Sequence, residues 1–181
     1  LSSSSPRKIG TSSWTAVSSQ LYQSAAIRSD GALFTWGYNG YGNLGDGTTI
    51  DKSSPVKIGT SSWTALGGVG LAIRSDGTLW GWGSAYFGDG TTASRSSPVQ
   101  IGTSSWIAVA ESMAIRADNT LWSWGSNSKG QVGDGTTTTR SSMVQVAGTW
   151  SNIIADGYQR AAIRSDNTLW CWGEGALSLI H

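Results

Sequence analysis

The 181-residue sequence is poor in the residues that most chemistry requires. It has one cysteine, Cys171, one histidine, His181, and two glutamates, Glu111 and Glu174. A single thiol excludes an intramolecular disulfide and a clustered thiolate metal site. A single imidazole leaves no Ser-His-Asp arrangement and no histidine metal cluster to assemble. Charged residues make up 13% of the chain, against about a quarter in ordinary domains. Basic residues number 12 and acidic residues 11, and Arg7-Lys8 is the only adjacent basic pair. A nucleic-acid surface shows as a basic excess or stripe, and the sequence has neither. No apolar run approaches the length of a membrane-spanning helix. No glycine-rich phosphate loop with its lysine occurs, so the sequence gives no cofactor, metal or catalytic assignment, and the chain reads as a non-enzyme.

Tryptophan and glycine are what the chain has in quantity, 11 and 25 residues. Each Trp buries a large area, so a modest apolar content still supplies a core. Trp14, Trp63, Trp106 and Trp150 open the similar segments SSWTAV, SSWTAL, SSWIAV and TWSNII, spaced 49, 43 and 44 residues apart. Each is followed by AAIRSDGALFTWG, LAIRSDGTLWGWG, MAIRADNTLWSWG or AAIRSDNTLWCWG. The first three then carry a Gly-rich loop ending in GDGTT and a segment of the type SSPVKIG. Such internal repetition decides the architecture before any local propensity does.

Each unit contains four strand candidates: PVxIG, the segment from the SSW Trp, AIR, and LWxWG. Asp30-Gly31, Asp76-Gly77, Asp118-Asn119 and Asp166-Asn167 separate the last two and predict two-residue hairpins. A repeated meander of four short antiparallel strands is the propeller pattern. The expected fold is therefore all-β, a single repeat domain over 1–181 with units near 6–36, 55–82, 98–124 and 143–172. Strand alternation puts Leu33, Leu79, Leu121 and Leu169 on one face. The other face carries Phe34 with Trp36, Trp80 with Trp82, Trp122 with Trp124, and Trp170 with Trp172.

Repetition also accounts for most charges. Arg28, Arg74, Arg116 and Arg164 share one position, and Asp30, Asp76, Asp118 and Asp166 share another. Asp46, Asp89 and Asp134 share the GDG position, so seven of the 11 acidic residues belong to the architecture. The expected role of these Asp residues is to cap turns and pair with the repeated Arg. GDGTT offers one carboxylate per copy and no distal Glu, unlike a calcium loop. Cys171 aligns with Thr35, Gly81 and Ser123 and is expected to be a small packed thiol. Function is left to what differs between copies. Tyr38 and Tyr41 lie in the first Gly-rich loop, Tyr86 and Phe87 in the second, and Lys129 and Gln131 in the third. These six are the candidate partner-binding residues. The turns Gln20–Ser24, Gly67–Gly70, Glu111–Ser112 and Asp156–Arg160 also vary and are expected at blade edges, where recognition residues tend to lie.

The combination of SSW, AIRSDGTLWxWG, NGYGNLGDGTT and SSPVQIG resembles the repeats of the regulator of chromosome condensation family, over residues 5 to about 173. That resemblance implies a seven-bladed propeller closed by strands from its two ends, with residues 6–10 resembling a detached closing strand. Four units are too few for seven blades, so the chain is expected to form a partial ring or an assembling fragment. Two features depart from the family pattern. Gln23 and Gln159 stand near the place where many family repeats carry His. Copies two and three are shorter before the AIR strand, and copy two again in its GDG loop. The family's roles include nucleotide exchange on a small GTPase, ligase-associated interaction, ultraviolet sensing and inhibition of β-lactamase by secreted propellers. No exchange-site residue carries over. The leading expectation is a noncatalytic protein-binding or structural scaffold with an unidentified protein partner. The alternatives are a guanine-nucleotide exchange factor or other enzyme regulator, and a self-assembling repeat. The Ser/Thr-rich, weakly charged composition favours a secreted or cell-surface location over a cytoplasmic one.

Overall fold

The hairpin after each AIR segment sets the local geometry. Gly31, Gly77, Asn119 and Asn167 all have positive φ, between 66° and 82°. Their N–H groups donate to the carbonyls of Arg28, Arg74, Arg116 and Arg164 at 2.8–2.9 Å. Each loop is thus a turn followed by one left-handed residue, a three-residue connection rather than the expected two-residue one. Only Gly and Asn stand at that position, the residue types that tolerate it.

The computed structural model describes residues 5, 6, 8–68 and 70–175. Among these there are thirteen strands and no helix. The strands are β1 (Trp14–Gln20), β2 (Gln23–Arg28), β3 (Ala32–Gly37), β4 (Lys52–Leu66), β5 (Leu71–Arg74), β6 (Leu79–Gly83) and β7 (Arg95–Gln100). Then follow β8 (Trp106–Ala110), β9 (Met113–Arg116), β10 (Thr120–Gly125), β11 (Arg140–Asp156), β12 (Gln159–Arg164) and β13 (Leu169–Gly173). All pairings are antiparallel, in two curled sheets ordered β1 to β7 and β13 back to β8.

The two long strands reveal where one blade ends and the next begins. The first half of β4 pairs with β3 (Thr35 opposite Val56), while its second half pairs with β5 (Trp63 opposite Arg74). β11 does the same between β10 and β12. Each PVxIG segment therefore forms the outer strand of the preceding blade, so the four units read from sequence straddle blade boundaries. The described residues make three four-stranded blades and a fourth blade of three strands, a partial propeller. Pro6 and Lys8–Gly10, in the segment expected as a detached closing strand, form no strand, and among the described residues no LWxWG strand precedes them to pair with. Arg7 and His181 lie outside the described residues.

The core follows the expected alternation in the first three repeats. Leu33, Leu79 and Leu121 are fully buried, and Trp63, Trp82, Trp106, Trp124 and Trp150 are at most 3% exposed. Trp14, Trp36 and Trp172 are half-buried. The fourth repeat departs: Leu169 is 73% exposed and Cys171 is exposed. In earlier blades the outer strand sets Ile58, Ile101 or Val146 against the equivalent leucine, and all three are buried. Among the described residues no strand lies beyond β13, so Leu169 has no such cover and Cys171 is not the packed thiol expected.

The repeated Arg and Asp also differ from expectation, for a reason visible in the residue two positions after Asp. Only Arg28 and Asp30 pair, at 2.6 Å. In the other three repeats Asp76, Asp118 and Asp166 accept both the N–H and the hydroxyl of Thr78, Thr120 and Thr168. Each Thr hydroxyl in turn accepts the indole N–H of Trp80, Trp122 or Trp170. The freed guanidiniums of Arg74, Arg116 and Arg164 stack over those indoles, 3.7–4.0 Å from the ring centroids. The first repeat has Ala32 and Phe34 where the others have Thr and Trp, so Asp30 turns to Arg28 instead.

Candidate recognition face

Gly-rich loops follow β3, β6 and β10. In the first and third, residues 37–45 and 125–133, a buried Asn organises the backbone. The Nδ2 of Asn39 donates to Asp46 Oδ1 and to the carbonyls of Thr48 and Ile50, each at 3.1 Å, and its Oδ1 accepts the N–H of Leu44 at 2.9 Å. Asn127 repeats this set with Asp134, Thr136, Thr138 and Val132. The second loop, residues 83–88, is three residues shorter and has no such Asn.

The GDG carboxylates are held within these loops. Asp46, Asp89 and Asp134 accept from the N–H and hydroxyl of Thr48, Thr91 and Thr136. They also pair with Lys52 at 3.3 Å, Arg95 at 3.6 Å and Arg140 at 2.6 Å. Burial alone would raise the pKa of Asp134, but the Thr136 hydroxyl, Arg140 and the Thr136 N–H outweigh it and hold the pKa at about 2. A folded-state pKa below the unfolded value makes the carboxylate stabilising above roughly pH 4. That contribution is lost as pH falls through about 2. Urea midpoints of the wild type and Asp134→Asn are therefore expected to differ at pH 6 and to converge toward pH 2. A difference that stays constant with pH would contradict this role.

The loops and the tips of the β1–β2, β4–β5, β8–β9 and β11–β12 hairpins surround one depression of about 570 Å³. All five tyrosines of the chain line it: Tyr22, Tyr38, Tyr41, Tyr86 and Tyr158. They are 40–78% exposed. Leu21, at a hairpin tip with φ 45°, is 90% exposed beside them. Two charges line the depression, and they engage one another: Arg160 lies 3.4 Å from Glu111. Arg160 is 5% exposed and also donates to Ser112 Oγ and to the carbonyls of Gly157 and Gln159. Burial pulls its pKa down, opposed by Glu111 and Asp156.

Of the six residues singled out from sequence, Tyr38, Tyr41 and Tyr86 are brought together here. Phe87 and Gln131 also border the depression, but they are 4% and 2% exposed and are corrected to structural parts. Phe87 occupies the place of the buried Leu44 and Val132, two residues before the GDG Asp, and packs in the core. Gln131 accepts the Lys129 N–H through its side chain and the Trp172 indole N–H through its carbonyl. Lys129 lies outside the depression and pairs with Glu174 at 2.8 Å. Tyr22, Tyr158 and Arg160 were not singled out individually, although the variable turns that hold them were.

Residues 30–65 match the regulator of chromosome condensation (RCC1) repeat, and residues 112–131 match a second description of that repeat. This chain carries RCC1 repeats. Human WBSCR16 superposes with a TM-score of 0.80 at 19% identity, covering 94% of this chain and 50% of that one. Yeast RCC1 (Prp20), in its structure bound to Kap60, gives 0.74 at 16% identity over 93% and 45%. Prp20p from Saccharomyces cerevisiae, reported with its binding properties to Gsp1p and histones, gives 0.76 at 18% identity over 88% and 44%. The RCC1-repeat chain spans about half the length of these structures, and the likeness is one of fold. No curated protein sequence matches it significantly.

Proposed function

We propose that this RCC1-repeat chain is a noncatalytic protein-binding module and that the tyrosine-lined depression is its recognition face. One observation carries this: every tyrosine in the sequence lines that depression, while the tryptophans are distributed through the blades. Tyrosine gives a large amphipathic contact area with little side-chain entropy to lose, and Ser, Gly and Asn add adaptable polar contacts. The remaining lining is mostly of these types and Gln.

An exchange factor calls for an acidic patch that breaks the repeat, whereas Glu111 is the only acid lining the depression and Arg160 is beside it. That weighs for binding over exchange. Self-association has support of its own in the 73% exposed Leu169 and the 45% exposed Trp170 on β13. Particle size in solution tests it.

The binding reading is tested with peptides selected from a displayed random library against the wild-type chain. Tyr41→Ala and Tyr86→Ala are each expected to weaken binding about ten-fold or more, the scale of an interface hot spot. Ile154→Ala, which is exposed outside the depression, should leave affinity unchanged. Equal affinity for all three variants would overturn the assignment.

A further inference from the structure

The second repeat is trimmed twice. Its hairpin between Trp63 and Ile73 is shorter than those of the first and fourth repeats, and its loop 83–88 is shorter than those of the first and third. The depression runs over this trimmed repeat and the third, whose hairpin is also short, between the longer hairpins that carry Tyr22 and Tyr158 and the longer loop that carries Tyr38 and Tyr41. It is a notch framed by shorter turns.

The trimmed loop leaves a hydrogen bond unmade. In the neighbouring blades Trp82 Nε1 donates to the carbonyl of Asn43 at 3.0 Å, and Trp172 Nε1 to that of Gln131 at 2.9 Å. Trp124 is the equivalent residue between them; it borders the notch, is fully buried, and its Nε1 has no acceptor. The residue standing where Asn43 and Gln131 stand, three before the GDG Asp, is Tyr86. Its φ is 69°, a left-handed conformation that neither Asn43 nor Gln131 adopts and that a side chain of this kind adopts only at a cost. An unmade buried bond and a strained residue at one spot mark an element with a second arrangement available.

We propose that the notch over the trimmed loop is the seat of the partner, filled by an uncharged peptide segment, and that filling it turns Tyr86 out of the left-handed conformation so that its carbonyl meets Trp124 Nε1. This rests on the binding reading above. The full-length loops of the first and third repeats hold the corresponding residue in the bonding conformation with their own chain, and here the partner's backbone takes the place of the missing residues. The partner segment is uncharged because Glu111 and Arg160 satisfy one another. The tyrosine hydroxyls make no hydrogen bond among the described residues and are available to its peptide groups. A partner that favours the bonded arrangement shifts the loop toward it by that difference in affinity.

The test uses a peptide selected as above and the wild-type chain, with the indole N–H resonance of Trp124 identified by its loss in Trp124→Phe. At saturation that resonance is expected to move downfield and its hydrogen exchange to slow, while those of Trp63, Trp106 and Trp150 stay in place. Raising the salt from 50 to 500 mM should change affinity less than two-fold. A second chain, with Ser84–Phe87 replaced by a copy of Tyr38–Leu44, restores the missing length and fills the notch; it should bind at least ten-fold more weakly. A Trp124 resonance unmoved at saturation overturns the proposal even if the lengthened chain does not fold. Unchanged affinity in a folded lengthened chain overturns it as well. If in either case the peptide still depends on Tyr41, the binding reading stands and only the notch is wrong; if it depends on no tyrosine, the binding reading itself fails.

Discussion

Trp124→Ala is expected to lower the unfolding free energy by about 3–5 kcal/mol, a large part of the roughly 5–15 kcal/mol that holds a domain together. The indole is fully buried in a cluster with Leu71, Ile73, Leu79, Phe87, Ile101 and Trp106. Gly88 lies against it so closely that a Cβ there would sit 3.0 Å from the ring. Because Nε1 makes no hydrogen bond, the loss is one of packing: apolar surface returns to water in the unfolded comparison and a cavity remains in the folded chain. Tyr41→Ala, by contrast, removes a side chain that is 60% exposed, and is expected to change stability by no more than about 0.5 kcal/mol. Urea unfolding followed by far-ultraviolet circular dichroism measures both. A cost below about 1 kcal/mol for Trp124→Ala would mean that the second and third blades do not pack as described.

The same leucine position should respond in opposite ways in two repeats. Leu121→Ala is expected to cost about 2–5 kcal/mol, since Leu121 is fully buried with Met113, Ile115, Val146 and Trp150. Leu169→Ala should cost no more than about 0.5 kcal/mol, because its side chain is 73% exposed. The residue, the strand and the repeat motif are the same; the outer strand that covers one and not the other makes the difference. Equal costs would show that the far edge of β13 is covered in solution, and would favour self-association.

The repeat made much of this legible in the sequence. Alternation along LWxWG predicted the buried leucines, and the Asp-Gly and Asp-Asn pairs marked the left-handed turn position. Tyr38, Tyr41 and Tyr86 were legible as loop aromatics that differ between copies, and the loops that carry them meet at the depression. What was not legible depended on partners distant in the chain. PVxIG reads as the start of a unit, yet its hydrogen bonds go back to the preceding LWxWG, and no local pattern reports that. The pairing of repeated Arg with repeated Asp was the natural reading of adjacent opposite charges, but Thr two residues after Asp competes successfully for the carboxylate. Phe87 read as a loop aromatic, although its alignment with Leu44 and Val132 carried the signal that it is core. The signal for Asn39 and Asn127 is their common spacing of seven residues before the GDG Asp. Tyr22 and Tyr158 sit on hairpin tips more than a hundred residues apart in sequence, and only the curl of the blades brings them to one depression.

Tryptophan builds this molecule and tyrosine equips it to bind: that division is the centre of the account. Its most direct test is one titration of a selected peptide into the wild type and into a chain with all five tyrosines changed to serine, each shown to be folded by circular dichroism. The predicted result is a folded variant that no longer binds the peptide. A folded variant that binds as tightly as the wild type would contradict it.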